Sequence, residues 1–281
     1  MKPRKYTARF VYEATEIPFH FWANTTAGKP DCIIFLGAGQ VGNIPRWVAA
    51  AAGPGVVVVD GLPHWAVAPS TEAIRVFSAG YIAAAFAAVR KTFGLTTVHV
   101  ITESQAVPAT VILARTIPEQ IGNVVLVRPL GFSVRAFGAS EAVRLQVFRR
   151  RIVRTMLQLP QSFLHDPRNF GVTASMLRAM IREPNFKSLT KKYAIGISYD
   201  LLEDCKAVAV IQKRKKRSFT MLLGEKDKMF PPKEIMAALA AHQNITPDVQ
   251  IVPRATHASL AVRGSKVILK LAVQTARGDQ P

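Results

Sequence analysis

The chain has 281 residues, 49% of them apolar and 20% charged, the balance of an ordinary globular domain. No run approaches the ~18 apolar residues of a membrane span, and two isolated cysteines, Cys32 and Cys205, make neither a disulfide framework nor a zinc site. The 37 Lys and Arg against 18 Asp and Glu give a formal net charge of +19, a field that draws nucleic acid, anionic lipid or acidic substrates. The first stretch, "MKPRKYTARFVYEAT", is basic but turns at once into strand-like alternation, so no secretory signal is expected. With unpaired thiols, a reducing cytoplasm is the expected setting.

"YTARFVYEAT" and "IPFHFWANT" alternate as two strands of a hairpin. Cys32 to Leu36 is a continuous apolar run, as in a strand buried on both faces. Pro45 to Ala52 follows as a short helix ended by "GPG", then Val56 to Val59 as another buried strand. Beyond "DGLPHWAVAPS" come a long helix over about Thr71–Thr92, a strand at 96–102, a helix at Val107–Thr116 and a strand at 123–129. From Gly131 to about Lys206 the patterns are helical only. The alternation resumes with 218–227, a helix from Pro232 to His242, the run 248–257, and a helix from about Ser259 to Thr275. Such alternation predicts an α/β protein with a mostly parallel, doubly wound sheet. It divides into a first core part (1–130), a helical insertion (131–206) and a second core part (207–281).

Residues 37–42 read G-A-G-Q-V-G, the G-x-G-x-x-G spacing of a dinucleotide-binding turn, and Asp60 closes the next strand. The helix after it is short and holds Pro45 in its first turn, which suits that use poorly. A different pattern sits at "VITESQAVPA". Ser104 lies between a strand and a helix with Thr102 and Ala106 two residues to either side, the layout of a nucleophile elbow. Asp227 follows the strand in "TMLLGEKD" and His257 the strand in "VQIVPRATH", so all three belong at the C-terminal edge of the sheet. Alone, Ser104 reads as a helix N-cap, Asp227 as a turn residue and His257 as a surface histidine. Together, in the order Ser, Asp, His, they form the set that acyl transfer needs. His20, His64, His99, His165 and His242 show no metal-ligand spacing, and Asp60 reads as a turn acid.

With these motifs in order, the chain resembles the α/β-hydrolase family. "IIFLGAG" stands where the oxyanion strand and turn do, "TESQA" at the elbow, "LLGEKDKMFPP" at the acid loop and "ATHAS" at the histidine loop. The resemblance implies a sheet of the α/β-hydrolase type carrying an inserted helical cap. It implies Ser104 as nucleophile, Asp227 and His257 as acid and base, and the N–H groups of Ala38 and Gln105 as oxyanion donors. A serine hydrolase of this kind takes an ester or thioester, a small-molecule acyl substrate, and needs no cofactor or metal. The chain departs from the family at Leu36, where a histidine is usual, and at Thr102 and Ala106, where glycines are usual. Glu103, beside the nucleophile, is charged.

Two basic runs complete the reading. Lys213 to Arg217 are five consecutive cations ahead of the strand that ends near Asp227, hence at the edge opposite the site. They read as a solvated loop or a contact for an anionic surface or nucleic acid. In "FRRRIVR", Arg149, Arg150, Arg151 and Arg154 lie within the insertion, where some could face an acidic substrate group. These runs and the departures at Leu36 and Thr102 define the other reading, a catalytically reduced binding protein with a basic surface.

Overall fold

The computed structural model describes residues 3–24, 28–37, 44–62, 71–132, 201–241, 247–256 and 266–278, with isolated helical positions between 143 and 154. Eight strands form one sheet: β1 (Arg4–Tyr12), β2 (Thr15–Ala23), β3 (Cys32–Phe35), β4 (Val56–Val59), β5 (Val98–Glu103), β6 (Ile121–Val127), β7 (Phe219–Gly224) and β8 (Asp248–Val252). Their order is β1-β2-β4-β3-β5-β6-β7-β8, antiparallel across β1, β2 and β4 and parallel from β4 to β8. This is the expected mostly parallel, doubly wound sheet. The hairpin turns at Glu13 and Ala14, both at positive φ (45° and 62°). That two-residue turn matches the right-handed twist of paired strands. It ends the first strand inside the stretch read from sequence as continuous.

The helices are α1 (Ile44–Ala52), α2 (Thr71–Phe93), α3 (Val107–Thr116), α4 (Leu202–Arg214), α5 (Pro232–Ala241) and α6 (Lys266–Arg277). Successive strand residues point to opposite faces, so each central strand feeds two cores. Ile33, Phe35, Val57, Val100, Leu126 and Met221 pack on the face shared with α2, α3, α4 and α5. Cys32, Ile34, Val58, Ile101, Val125 and Leu222 pack on the other, where α1 and α6 supply Val48, Ala49, Ile268, Leu269 and Ala272. Burial on both sides explains why β3 and β4 are unbroken apolar runs. Helix α4 runs on past Lys206, and its Leu202, Cys205 and Val208 belong to the first core. Most of the expected insertion, residues 133–200, lies outside the described residues apart from those isolated helical positions. Among the described residues no helix is long and apolar enough to cross a membrane.

The strand order reverses between β3 and β5. Chain leaving β3 goes to β4 on one side, and chain leaving β4 returns to β5 on the other. Such a switch point opens a crevice at the C-terminal strand ends. The pairing of Phe35 with Thr102 holds the ends of β3 and β5 level there.

Candidate active site

β5 ends at Glu103, and Ser104 opens a 3-10 turn, Ser104–Ala106, that leads directly into α3. Ser104 has φ +51°, in the left-handed region that costs a non-glycine residue about 1–2 kcal/mol. Its carbonyl accepts bonds from the N–H of Val107 and, at 3.3 Å, from that of Leu130 just beyond β6. The strained turn is therefore pinned on two sides. Pro108 falls in the first turn of α3, where no N–H is needed. The N-terminal end of this helix, just past Ser104, carries partial positive charge.

Thr102 is where sequence expectation and structure interact most closely. A β-branched residue is awkward two positions before an elbow. Here Thr102 is wholly buried and its hydroxyl is hydrogen-bonded to that of Thr110 at 3.0 Å, while Thr110 also donates to the Ala106 carbonyl at 2.8 Å. The threonine thus ties the strand before the elbow to the helix after it. Thr110 carried no signal in the sequence beyond lying eight residues downstream. Gln105 is buried, and its side-chain Oε1 has no hydrogen-bond partner.

Asp227 lies three residues past β7 and is 2% exposed. Its Oδ1 accepts the N–H groups of Met229 (2.8 Å) and Phe230 (2.9 Å), which fixes the carboxylate in the turn. The same turn is stitched to the segment leaving β8. Glu225 N–H donates to Val252 O, Lys226 N–H to Ala255 O, and Arg254 N–H to the Glu225 carboxylate. At the end of β7, Gly224 approaches so closely that a Cβ there would sit 2.7 Å from the Ala255 carbonyl oxygen. The acid loop and the residues just before position 257 are therefore held together. His257 and Ala38 lie outside the described residues, as do Gly39, Gly42, His64, His165 and His242. Gly37 is buried at the end of β3.

Several charged groups prove structural. Asp60, just beyond β4, is buried; its Oδ2 accepts the His20 N–H at 3.0 Å and its Oδ1 has no partner. Burial pushes its carboxyl up to about 6, against a smaller lowering by the His20 N–H and Lys5. His99 is held below the usual imidazole range by burial, and its Nδ1 accepts the Asn123 N–H. Of the basic run at 149–154, Arg150 and Arg154 are exposed, whereas Arg151 is buried. Arg151 donates to the Met229 carbonyl at 3.0 Å and pairs with Glu234, so it braces the acid loop instead of facing a substrate group. Arg149 lies outside the described residues. Of the five-cation run, Lys215 pairs with Glu119, and Arg217 donates to the carbonyls of Pro118 and Ile121. Lys213, Arg214 and Lys216 are exposed.

One residue missed by sequence reasoning stands in the same row. Arg128 immediately follows β6, with φ +47°, and is 2% exposed. It is the largest fully buried side chain among the described residues.

No family model matches the sequence, and no curated protein matches it. Solved structures do match, over nearly the whole chain. A bromoperoxidase from Bacillus anthracis superposes with TM-score 0.61 at 12% identity, covering 98% of this chain and 100% of that one. An α/β-hydrolase enzyme from a Medee basin deep-sea metagenome library gives 0.57 at 13%, covering 98% of each. This chain has the α/β-hydrolase fold. A carboxylesterase from Bacillus subtilis shares the α/β-hydrolase fold with it at TM-score 0.57 and 13% identity, covering 99% of this chain and 93% of that one. Within the α/β-hydrolase fold, Ser104, Arg128 and Asp227 occupy the C-terminal ends of three adjacent strands, β5, β6 and β7.

Proposed function

We propose that the protein is a serine hydrolase that cleaves an ester or thioester through an acyl-enzyme. Ser104 Oγ attacks the carbonyl carbon while His257 takes its proton, and Asp227 orients and charges-balances the imidazole. The N–H groups of Ala38 and Gln105 hold the oxyanion. Collapse expels the alcohol or thiol, which takes the proton from His257. Water then attacks the acyl-serine by the same base and releases the acid. The chemistry needs no cofactor or metal.

The observation that carries this reading is Ser104 at φ +51° in the tight turn between β5 and α3, the strained strand-to-helix position that a nucleophile elbow requires. The buried Asp227, stitched to the segment that leads to residue 257, supports it. So does the likeness to esterases, at the level of fold. Two buried free thiols, Cys32 and Cys205, fit a reducing compartment. Exposed Lys213, Arg214 and Lys216 support a second reading, a binding protein with reduced catalysis that holds an anionic surface or nucleic acid.

A fluorophosphonate probe separates the two. The expected result is one adduct, mapped by mass spectrometry to Ser104, absent in Ser104→Ala and at least a hundredfold slower to form in His257→Ala. Labelling should rise with pH as the base deprotonates. A folded protein that takes no label and is retained on heparin until salt is raised would decide for the binding protein.

A further inference from the structure

The surplus of positive charge takes no part in the chemistry proposed at Ser104, and the fold gathers some of it at the opposite end of the sheet. Each parallel strand starts where the helix before it finishes, and α3 packs between α2 and α4. The C-terminal ends of these three helices therefore lie side by side below the starts of β5, β6 and β7. Arg90 of α2 donates to Gln120 and to the Leu95 carbonyl. At the end of α4, Lys215 holds Glu119 and Arg217 holds the Pro118 carbonyl. The 3-10 turn Pro118–Gln120 is thus tied to both helix ends.

With those contacts made, Lys91 of α2 and Lys213, Arg214 and Lys216 beside it on α4 stay exposed and pair with no acid among the described residues. The described acids on this edge are Asp31, Glu119 and Asp248, and Arg277 and Lys215 hold the first two. One or two cations balance the dipole at a helix C-terminus; the run Lys213 to Arg217 exceeds that need. Lys216 even stands at φ +55°, just past the cap of α4, where glycine is usual. Packed helices lie 8–10 Å apart, so the exposed cations of α2 and α4 are about 18 Å from each other.

Anionic membranes and nucleic acids both present phosphates, and the surroundings of these cations choose between them. Stable docking on a membrane needs an apolar element beside the basic one. The exposed large apolar side chains lie mostly elsewhere, with Trp47, Val76 and Val267 toward the starts of α1, α2 and α6; Val210, a turn back along α4, is the exception. Single strands are held by stacking on aromatic side chains. Trp47 is the only exposed aromatic among the described residues, and Phe93 at the end of α2 is packed on Tyr6 and Phe21. A duplex needs neither element, because lysine and arginine on its phosphates supply essentially all of its sequence-independent binding. It carries one charge per ~1.7 Å of axis, so an edge of about 18 Å faces roughly ten.

We propose that this basic edge docks on the phosphate backbones of a nucleic-acid duplex without reading its sequence. The proposal builds on the exposed cations of the second reading above but requires no loss of catalysis, because Ser104 is at the other end of the sheet.

The test is fluorescence anisotropy of a labelled DNA duplex of about 20 base pairs, titrated over a range of salt. Four phosphate contacts predict a slope of about 3–4 for log Kd against log salt. Replacing Lys213→Gln, Arg214→Gln and Lys216→Gly together should lower that slope by about 3 and weaken binding at least tenfold at low salt. Glycine suits the left-handed position, so this variant keeps its fold. Lys91→Gln, on a separate helix, should lower the slope by about 1. A charge-matched triple, Lys233→Gln, Lys266→Gln and Lys270→Gln, removes exposed cations from α5 and α6 and should bind as the wild type does. Equal weakening by the two triples would mean that net charge alone acts, and overturns the site. Tighter binding of the single strand overturns it too, as does binding of phosphatidylserine vesicles with no binding of the duplex. Fluorophosphonate labelling of Ser104 should be the same in every variant. An unlabelled Ser104 beside intact duplex binding overturns the hydrolase and leaves the docking edge standing.

Discussion

Ser104 carries two demands that substitution can separate. As the proposed nucleophile it needs its hydroxyl; as the turn between β5 and α3 it needs a backbone at φ +51° that glycine adopts without strain. Ser104→Ala removes the first and keeps the strain. Ser104→Gly removes both, at some cost in unfolded-state entropy. We expect the glycine variant to be more stable than the alanine variant by about 0.5–1 kcal/mol in urea denaturation, with both unlabelled by the fluorophosphonate. Equal midpoints would mean that the turn stores no strain. Asp60 gives a pH-dependent counterpart. Its carboxyl titrates at about 6 in the fold against 3.8 without it. The native state therefore binds more protons between those values, so its contribution to stability is lost as pH rises from 3.8 through 6. Asp60→Asn keeps an acceptor for the His20 N–H and removes the charge. It should stabilise the protein by on the order of 1–3 kcal/mol at pH 7.5, with the gain vanishing below about pH 4. Thermal denaturation at the two pH values checks it.

Between β7 and β8 the contact that matters is backbone on backbone. Gly224→Ala would drive a methyl group to 2.7 Å from the Ala255 carbonyl, and neither partner is a side chain that can swing away. The bonds from Glu225 and Lys226 to Val252 and Ala255 must then lengthen. We expect a loss of about 1–3 kcal/mol in stability and at least a tenfold fall in the rate of Ser104 labelling on folded protein. Unchanged labelling would show that the acid loop tolerates displacement. The strands and helices of the parallel core were legible in the sequence because burial on two faces writes an unbroken apolar run. The ends were less so. The hairpin turn at Glu13 and Ala14 lacks the Asn or Gly that usually announces it. The strand expected over 218–227 closes at Gly224, because the residues after it are taken by the turn that holds Asp227.

Across the whole molecule, the fold and the positions of Ser104 and Asp227 could be read from the order of motifs, because the parallel topology sends each strand's C-terminal end to one edge. What could not be read were residues whose meaning depends on burial. Thr102 looked obstructive until paired with Thr110. Arg151 looked like one arginine of a run until seated on Met229 O and Glu234. Arg128 is a lone arginine after a strand in a chain rich in arginine, and nothing in the sequence marks its enclosure.

Helix α6 has a bearing on how the protein is made. Its Ile268, Leu269, Ala272 and Val273 close the sheet face formed by residues from Cys32 onward, and Arg277 grips Asp31 through two bonds of 2.9 and 3.0 Å. Everything that α6 covers precedes it in the sequence. Helix α1 covers β4 as soon as that strand is made, but at about 5–20 residues per second a ribosome leaves the part of that face over β5 and β6 bare for many seconds after those strands have emerged. Biosynthesis therefore passes through a sheet with one greasy side half covered, a form suited to chaperone capture and unable to close until the last described helix arrives.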